Sequence, residues 1–313
     1  MDRNDVTWKG YWPASPTPFT RDGALDEPTL RELMRFYLKE GMHGVLLNGS
    51  TGEWWSQSDE ERKRVAEIAV EELGGKIPVV VGVTTFTARH SAELGKHAQA
   101  AGADGILATP PPYMRPEPDE IIQFYKDLTE EVALPFMVYN MPAAIGVDMR
   151  ADLVLQLAEI PNVVALKDGT ANTASFYVTL AAVKDRLRVF GAFLNPMGLA
   201  ALRSIGGDGF IGGGALMGHE QPEFFEAVWR GDDTRALEIA RRSAILTNLF
   251  NNPDWSGKFG GGQMKAAMRI LGQPGGYPRR PRLPIDDPDK LAAIRAALVK
   301  AGLLDRQLAS VPT

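Results

Sequence analysis

Lys167 follows Val163-Val164-Ala165-Leu166, so its stem leaves an apolar run of the kind that forms a buried strand. Desolvation there disfavours the ammonium form and lowers the pKa, and a neutral amine is the nucleophile that carbonyl chemistry needs. Of the twelve lysines it alone closes a core-type strand. Two plainer roles remain open for it: snorkelling to the strand mouth, or pairing with Asp168 next to it. Tyr139 ends a neighbouring run of the same kind, where its phenol could move protons during the same reaction; a core or interface tyrosine is the alternative. Gly49-Ser50-Thr51-Gly52 places two hydroxyls and several backbone N–H groups in a compact turn. Such a turn can cradle a carboxylate, although glycine and serine also suit a plain strand-to-helix connection. Amine, phenol and anion cradle together fit a small 2-oxo acid such as pyruvate.

Other chemistries find less support. His43, His90, His97 and His219 show no paired-ligand spacing; His90, Glu93 and His97 could share a helix face, and a solvated surface explains that equally. There is no cysteine, so disulfides, thiolate nucleophiles and cysteine metal sites are excluded. No G-x-S-x-G elbow occurs. Gly212-Gly213-Gly214 could bind a phosphate or simply permit close backbone packing. A net charge of −5 with scattered basic residues argues against nucleic acid. The first residues, MDRNDVTWKG, have no apolar core of a leader, and no run reaches the roughly 18 apolar residues of a membrane span. The expectation is a soluble, cytoplasmic protein.

Something must hold these residues at one place. Short apolar runs recur between amphipathic helical stretches, near Tyr11–Ser15, Gly44–Asn48, Pro78–Val83, Gly105–Ala108, Pro135–Tyr139, Val163–Lys167, Leu187–Phe190 and Gly209–Gly212. Eight such units predict a (β/α)8 TIM barrel, whose catalytic face lies at the strand C-termini, where Lys167, Tyr139 and the Gly49–Gly52 turn all fall. The helical patterns Thr29–Glu40, Ser58–Leu73, Ala88–Ala101 and Pro118–Glu131 lie between strands, and Ser58 with Glu61 has the form of a capping box. An open dinucleotide-binding sheet would need a glycine-rich turn after the first strand, which instead runs into Pro16-Thr17-Pro18. The strand signal stops after about Glu223. The barrel is therefore assigned to residues 1–225 and a C-terminal helical domain to 226–313, with loops at Asn251–Gly262 and Gln273–Pro284.

Over essentially its whole length the chain resembles the dihydrodipicolinate synthase and N-acetylneuraminate lyase family of class I aldolases. The resemblance rests on Gly49-Ser50-Thr51-Gly52-Glu53, Pro112-Tyr113, Tyr139-Asn140-Met141-Pro142 with Gly146, and Leu166-Lys167, in this order and at these strand ends. It implies a Schiff-base lysine at Lys167, a general acid/base at Tyr139, and a proton relay through Ser50 and a Tyr113 borrowed across a dimer interface. It further implies that Gly49, Ser50 and Thr51 hold the 2-oxo acid carboxylate, that Gly213 adjoins the substrate, and that no cofactor is needed. A homotetramer built from two tight dimers is the implied assembly.

Departures from the family bear on the second substrate. The lysine-pathway synthases usually carry an arginine for a second carboxylate where this chain has Ala144. The sialic acid lyases usually have an Asp-Glu pair where this chain reads Gly191-Ala192-Phe193-Leu194. Ala144, Ile145, Phe193 and Leu194 are thus expected to form an apolar wall, with Asn195 a polar exception. Unpartnered hydroxyls buried there would cost about 1–3 kcal/mol each, which favours a less polar partner. Lys167-Asp168-Gly169 also looks like the dehydratases of 2-keto-3-deoxy sugar acids, so a hydro-lyase is the second reading. A non-catalytic 2-oxo acid binding protein is the third. Trp54-Trp55 either lines the site or packs at an interface.

Overall fold

A computed structural model describes residues 1–250 and 261–305. In chain order the elements are β1 Gly10–Ala14, α1 Glu27–Lys39, β2 Val45–Leu47, α2 Asp59–Leu73, β3 Val79–Gly82, α3 Ala88–Ala101, β4 Gly105–Ala108 and α4 Pro118–Glu131. There follow β5 Phe136–Asn140, α5 Pro142–Ile145, α6 Ala151–Leu157, β6 Val163–Asp168, α7 Thr173–Val183, β7 Arg188–Phe190, α8 Pro196–Ser204 and β8 Gly209–Gly213. The helices α9 Glu220–Arg230, α10 Asp233–Phe250, α11 Gly261–Ile270 and α12 Pro288–Lys300 complete the chain. Each strand pairs in parallel with the next, and β1 pairs with β8, so the sheet closes into an eight-stranded barrel. All eight strands fall within a residue or two of the apolar runs. Ser58 and Glu61 form the expected capping box at the start of α2.

Alternation along the strands divides the core in two. Inward residues such as Trp12, Leu46, Val80, Leu107, Met137 and Ala165 fill the barrel, while outward ones such as Val45, Val79, Ile106 and Val138 pack under the helices. Aromatic rings fill the barrel below its C-terminal end, Trp8 against Trp12 at 5.6 Å and Trp12 against Phe190 at 5.0 Å.

The β5–β6 pairing contains one irregularity that matters. Phe136 faces Val163, but Met137 faces Ala165, so one extra residue is absorbed on β6. As a result Tyr139 lies opposite Lys167 and Asn140 opposite Asp168. Without the shift, Tyr139 would oppose Leu166 and the two polar ends would be out of step.

The helix α9 packs on β1, and α10 packs against α8, α9 and α12. A cut after residue 225 passes through the middle of α9. Ala236, Ile239, Met268, Ile294 and Leu298 belong to the same buried cluster as the outer barrel layer, so the C-terminal helices extend the barrel's core. The loop expected across Asn251–Gly262 lies outside the described residues up to 260, and Gly261 and Gly262 open α11. Among the described residues no helix is long and apolar enough to cross a membrane.

Candidate active site

A cavity of about 360 Å3 opens at the C-terminal end of the barrel, lined among others by Ser50, Thr51, Tyr139, Met141, Lys167 and Gly213. Lys167 is buried, and its Nζ lies 4.2 Å from the centre of the Tyr139 ring. Among the described residues its amine has no ion pair and no hydrogen bond. Asp168 does not pair with it: one carboxylate oxygen accepts from Asn140 Nδ2 at 3.0 Å and from the Thr170 N–H at 3.0 Å. Burial without a counter-charge brings the Lys167 pKa down to about 7, so much of the amine is neutral near physiological pH. Burial also pushes the Asp168 carboxyl up to about 6, with the Thr170 and Asn140 hydrogen bonds offsetting part of the rise.

The Tyr139 hydroxyl donates to the Met141 sulfur at 3.1 Å. Burial raises its pKa far above the usual phenol value, while a hydrogen bond with the Ser50 side chain pulls it back. The phenol therefore stays protonated and can give a proton to a developing alkoxide or leaving hydroxyl. Gly169 makes this arrangement possible: a Cβ there would stand 3.0 Å from the Met141 sulfur and 3.4 Å from the Tyr139 ring. Asn140 braces the strand end behind the site, donating to Asp148 at 2.9 Å and accepting from the Met149 N–H at 3.1 Å. A neutral amine, a proton-bearing phenol and a hydroxyl-rich turn in one cavity can add to a carbonyl and remove its oxygen as water.

Several expected residues lie elsewhere. Phe193 does not line the cavity: its ring is fully buried beside Phe176, 5.4 Å centre to centre, over Gly207, in space that a Cβ would enter to 2.4 Å. The chain turns after β7 ends at Phe190, so residue 193 points back into the core instead of across the mouth. Leu194 is buried in the same cluster, and Asn195 caps α8 by accepting from the Gly198 N–H at 2.9 Å. Ala144 is exposed on the short helix α5, outside the lining, and Gly49 is buried beneath the turn that presents Ser50 and Thr51. Tyr113 is 92% exposed on the loop after β4, at φ 80, and does not reach its own cavity. His90 and His97 face α2, where they meet Asp59 and Glu67.

The apolar wall is instead supplied by Ala14, Met141, Phe190, Phe210, Ile211 and Met264. Thr170 adds a hydroxyl. Phe210 and Ile211 belong to β8, and their position on an eighth strand was the available signal. Met264 comes from α11, and nothing local in the sequence ties it to the barrel mouth.

The sequence profile of the dihydrodipicolinate synthetase family matches residues 7–301. This chain belongs to that family. Its members include an uncharacterised DapA-like lyase of Rhizobium meliloti, 34% identical over 281 residues that cover 90% of this chain and 92% of that protein. The 4-hydroxy-tetrahydrodipicolinate synthase of Bradyrhizobium diazoefficiens is 32% identical, covering 95% and 98% of the two chains. Among solved structures, the prophage protein YagE of E. coli K12, in complex with pyruvate, superposes with a TM-score of 0.88 at 28% identity over 96% of this chain and 100% of its own. The dihydrodipicolinate synthase of Acinetobacter baumannii, also with pyruvate, gives 0.86 at 28% identity over 95% and 100%. This dihydrodipicolinate synthetase family member is a lyase.

Proposed function

We propose that this lyase condenses Lys167 with pyruvate or another small 2-oxo acid and makes or breaks a carbon–carbon bond to a partner of low polarity. The observation that carries the proposal is the unpaired, buried amine of Lys167 facing Tyr139 across the β5–β6 register. The pyruvate complexes of YagE and the A. baumannii enzyme support the choice of acid. The neutral amine adds to C2 of the 2-oxo acid, and the proton that the nitrogen then sheds passes to the former carbonyl oxygen, giving a neutral carbinolamine. Tyr139 then protonates the carbinolamine hydroxyl, which leaves as water as the nitrogen lone pair forms the C=N bond. Loss of a proton from C3 gives the enamine, whose C3 attacks an aldehyde carbon; the aldehyde oxygen collects the proton. Hydrolysis of the iminium frees the amine.

Ser50 and Thr51 supply the hydroxyls and N–H groups for the carboxylate, with Gly49 shaping their turn and Gly213 lining the same cavity from the end of β8. Apart from Lys167, no described lysine or arginine lines the cavity, so a second carboxylate in the partner has no counter-charge there. Phe210, Ile211, Met141 and Met264 suit an apolar tail. Tyr113 completes the proton relay from a second subunit, in keeping with its exposure on the loop after β4. The assembly is a homotetramer of two tight dimers, and the cysteine-free chain suits a reducing cytoplasm.

The test is product analysis with pyruvate and a panel of aldehydes, apolar and carboxylated, alongside 2-keto-3-deoxy acids. Aldol products favouring apolar aldehydes, and lost in Lys167→Ala, are expected. Dehydrated product alone would make the enzyme a hydro-lyase. Pyruvate binding with no turnover of any partner would leave a binding protein.

A further inference from the structure

One ammonium group joins four separate parts of the chain beneath the carboxylate turn. Lys265, on α11, is completely buried, and its Nζ donates to Glu53 Oε1 at 2.5 Å, Thr17 O at 2.7 Å and Tyr277 O at 2.9 Å. The other Glu53 oxygen accepts from the Arg279 N–H at 3.0 Å. Both charges are thus fully partnered, which is the condition under which a buried ion pair can fix a geometry. Glu53 is itself in the left-handed region at φ 57, and its N–H donates to Ser50 O at 3.2 Å, closing the turn that carries Ser50 and Thr51. On the far side of that connection, the Arg279 guanidinium donates to Ser56 O at 2.9 Å and to both Glu61 oxygens at 2.5 and 2.6 Å. The connection between β2 and α2 is therefore held at its middle and at its α2 end by residues from the C-terminal part, and Met264, next to Lys265, reaches the cavity.

We propose that Lys265 is a positioning residue for the 2-oxo acid carboxylate: through Glu53 it sets the Gly49–Thr51 turn, which makes the C-terminal helices a working part of the active site. The proposal rests on the 2-oxo acid reading above. The ammonium never touches the substrate. It fixes the backbone from which Ser50 and Thr51 are aimed, and loosening that backbone weakens carboxylate recognition while leaving the Lys167 amine in place.

The experiment is borohydride trapping across a range of pyruvate concentrations in the wild type, Glu53→Gln and Lys265→Met. Trapping of pyruvamide, which has the ketone but no carboxylate, runs in parallel, and thermal melts verify folding. Glu53→Gln is expected to raise half-saturating pyruvate about tenfold, the scale of a weakened charged hydrogen bond, and Lys265→Met to raise it further. The trapping plateau and the pyruvamide curve are expected to stay as in the wild type. Unchanged pyruvate half-saturation in folded variants overturns the proposal, as does an equal loss with pyruvate and pyruvamide, which marks a general structural role. If Lys265→Met does not fold, the double variant Glu53→Met/Lys265→Met removes both charges together and is read in the same way. A wild-type chain that traps no 2-oxo acid removes the reading of the site itself, and this proposal with it.

Discussion

Lys167 and Tyr139 were legible because each closes an apolar run, and a polar residue at the C-terminal end of a barrel strand has few places to go but the mouth. The lysine's burial has measurable consequences. With its pKa near 7, the rate of imine formation is expected to rise with pH through a midpoint near 7, whereas an ordinary lysine would show the rise above pH 9. The same burial opposes folding. The unfolded chain holds this proton up to about pH 10.5 and the folded chain only to about 7, so the group's contribution to stability improves as pH rises between those values. Lys167→Met should therefore be inactive yet melt at a higher temperature than the wild type. Its advantage should be largest below pH 7 and shrink toward pH 10.5; a melting temperature below the wild type's at pH 6 would contradict this. Tyr139→Phe keeps the ring over Lys167 but removes the proton, and kcat is expected to fall about 10²- to 10⁴-fold in a chain that still folds.

At the scale of elements, the alternation of strand and helix was readable from hydrophobic period, down to the Ser58–Glu61 box. What period alone does not encode is where a chain points once it leaves a strand. Phe193 follows β7 by three residues and was expected in the wall, yet the turn after Phe190 drives it into the core. Phe193→Ala is accordingly expected to cost about 3–5 kcal/mol of stability, measured by denaturant unfolding, with the aldehyde preference unaltered in whatever fraction folds. A changed preference with little loss of stability would put the ring back in the wall. The one-residue shift in β5–β6 was equally hidden, because Val163 and Val164 are both apolar and either could be the extra residue. That slip decides which residue faces Tyr139.

At the scale of the molecule, eight strands and a helical end could be counted in the sequence, but the joining of the end to the site could not. Lys265 and Glu53 are 212 positions apart, and neither carries a local mark of the other. A division near residue 225 follows from where the strand signal stops, while the packing of α10 to α12 onto the barrel depends on contacts only the fold creates. Tyr113 points to a further level, since one chain leaves it outside its own cavity. If the partner's cavity receives it, mixing inactive Lys167→Ala with inactive Tyr113→Phe creates hybrid dimers with one intact site. Random exchange should then restore roughly a quarter of wild-type activity. No recovery after verified subunit exchange would mean that the relay does not cross subunits.

The proposed chemistry stands or falls with Lys167 as the amine that joins the 2-oxo acid. Intact mass after incubation with pyruvate and sodium borohydride, followed by peptide mapping, tests it most directly. One reduced pyruvyl adduct per chain is expected, on the peptide that contains Lys167, and none in Lys167→Ala. An adduct on another lysine, or a folded wild-type protein that stays unmodified with several 2-oxo acids, would contradict it.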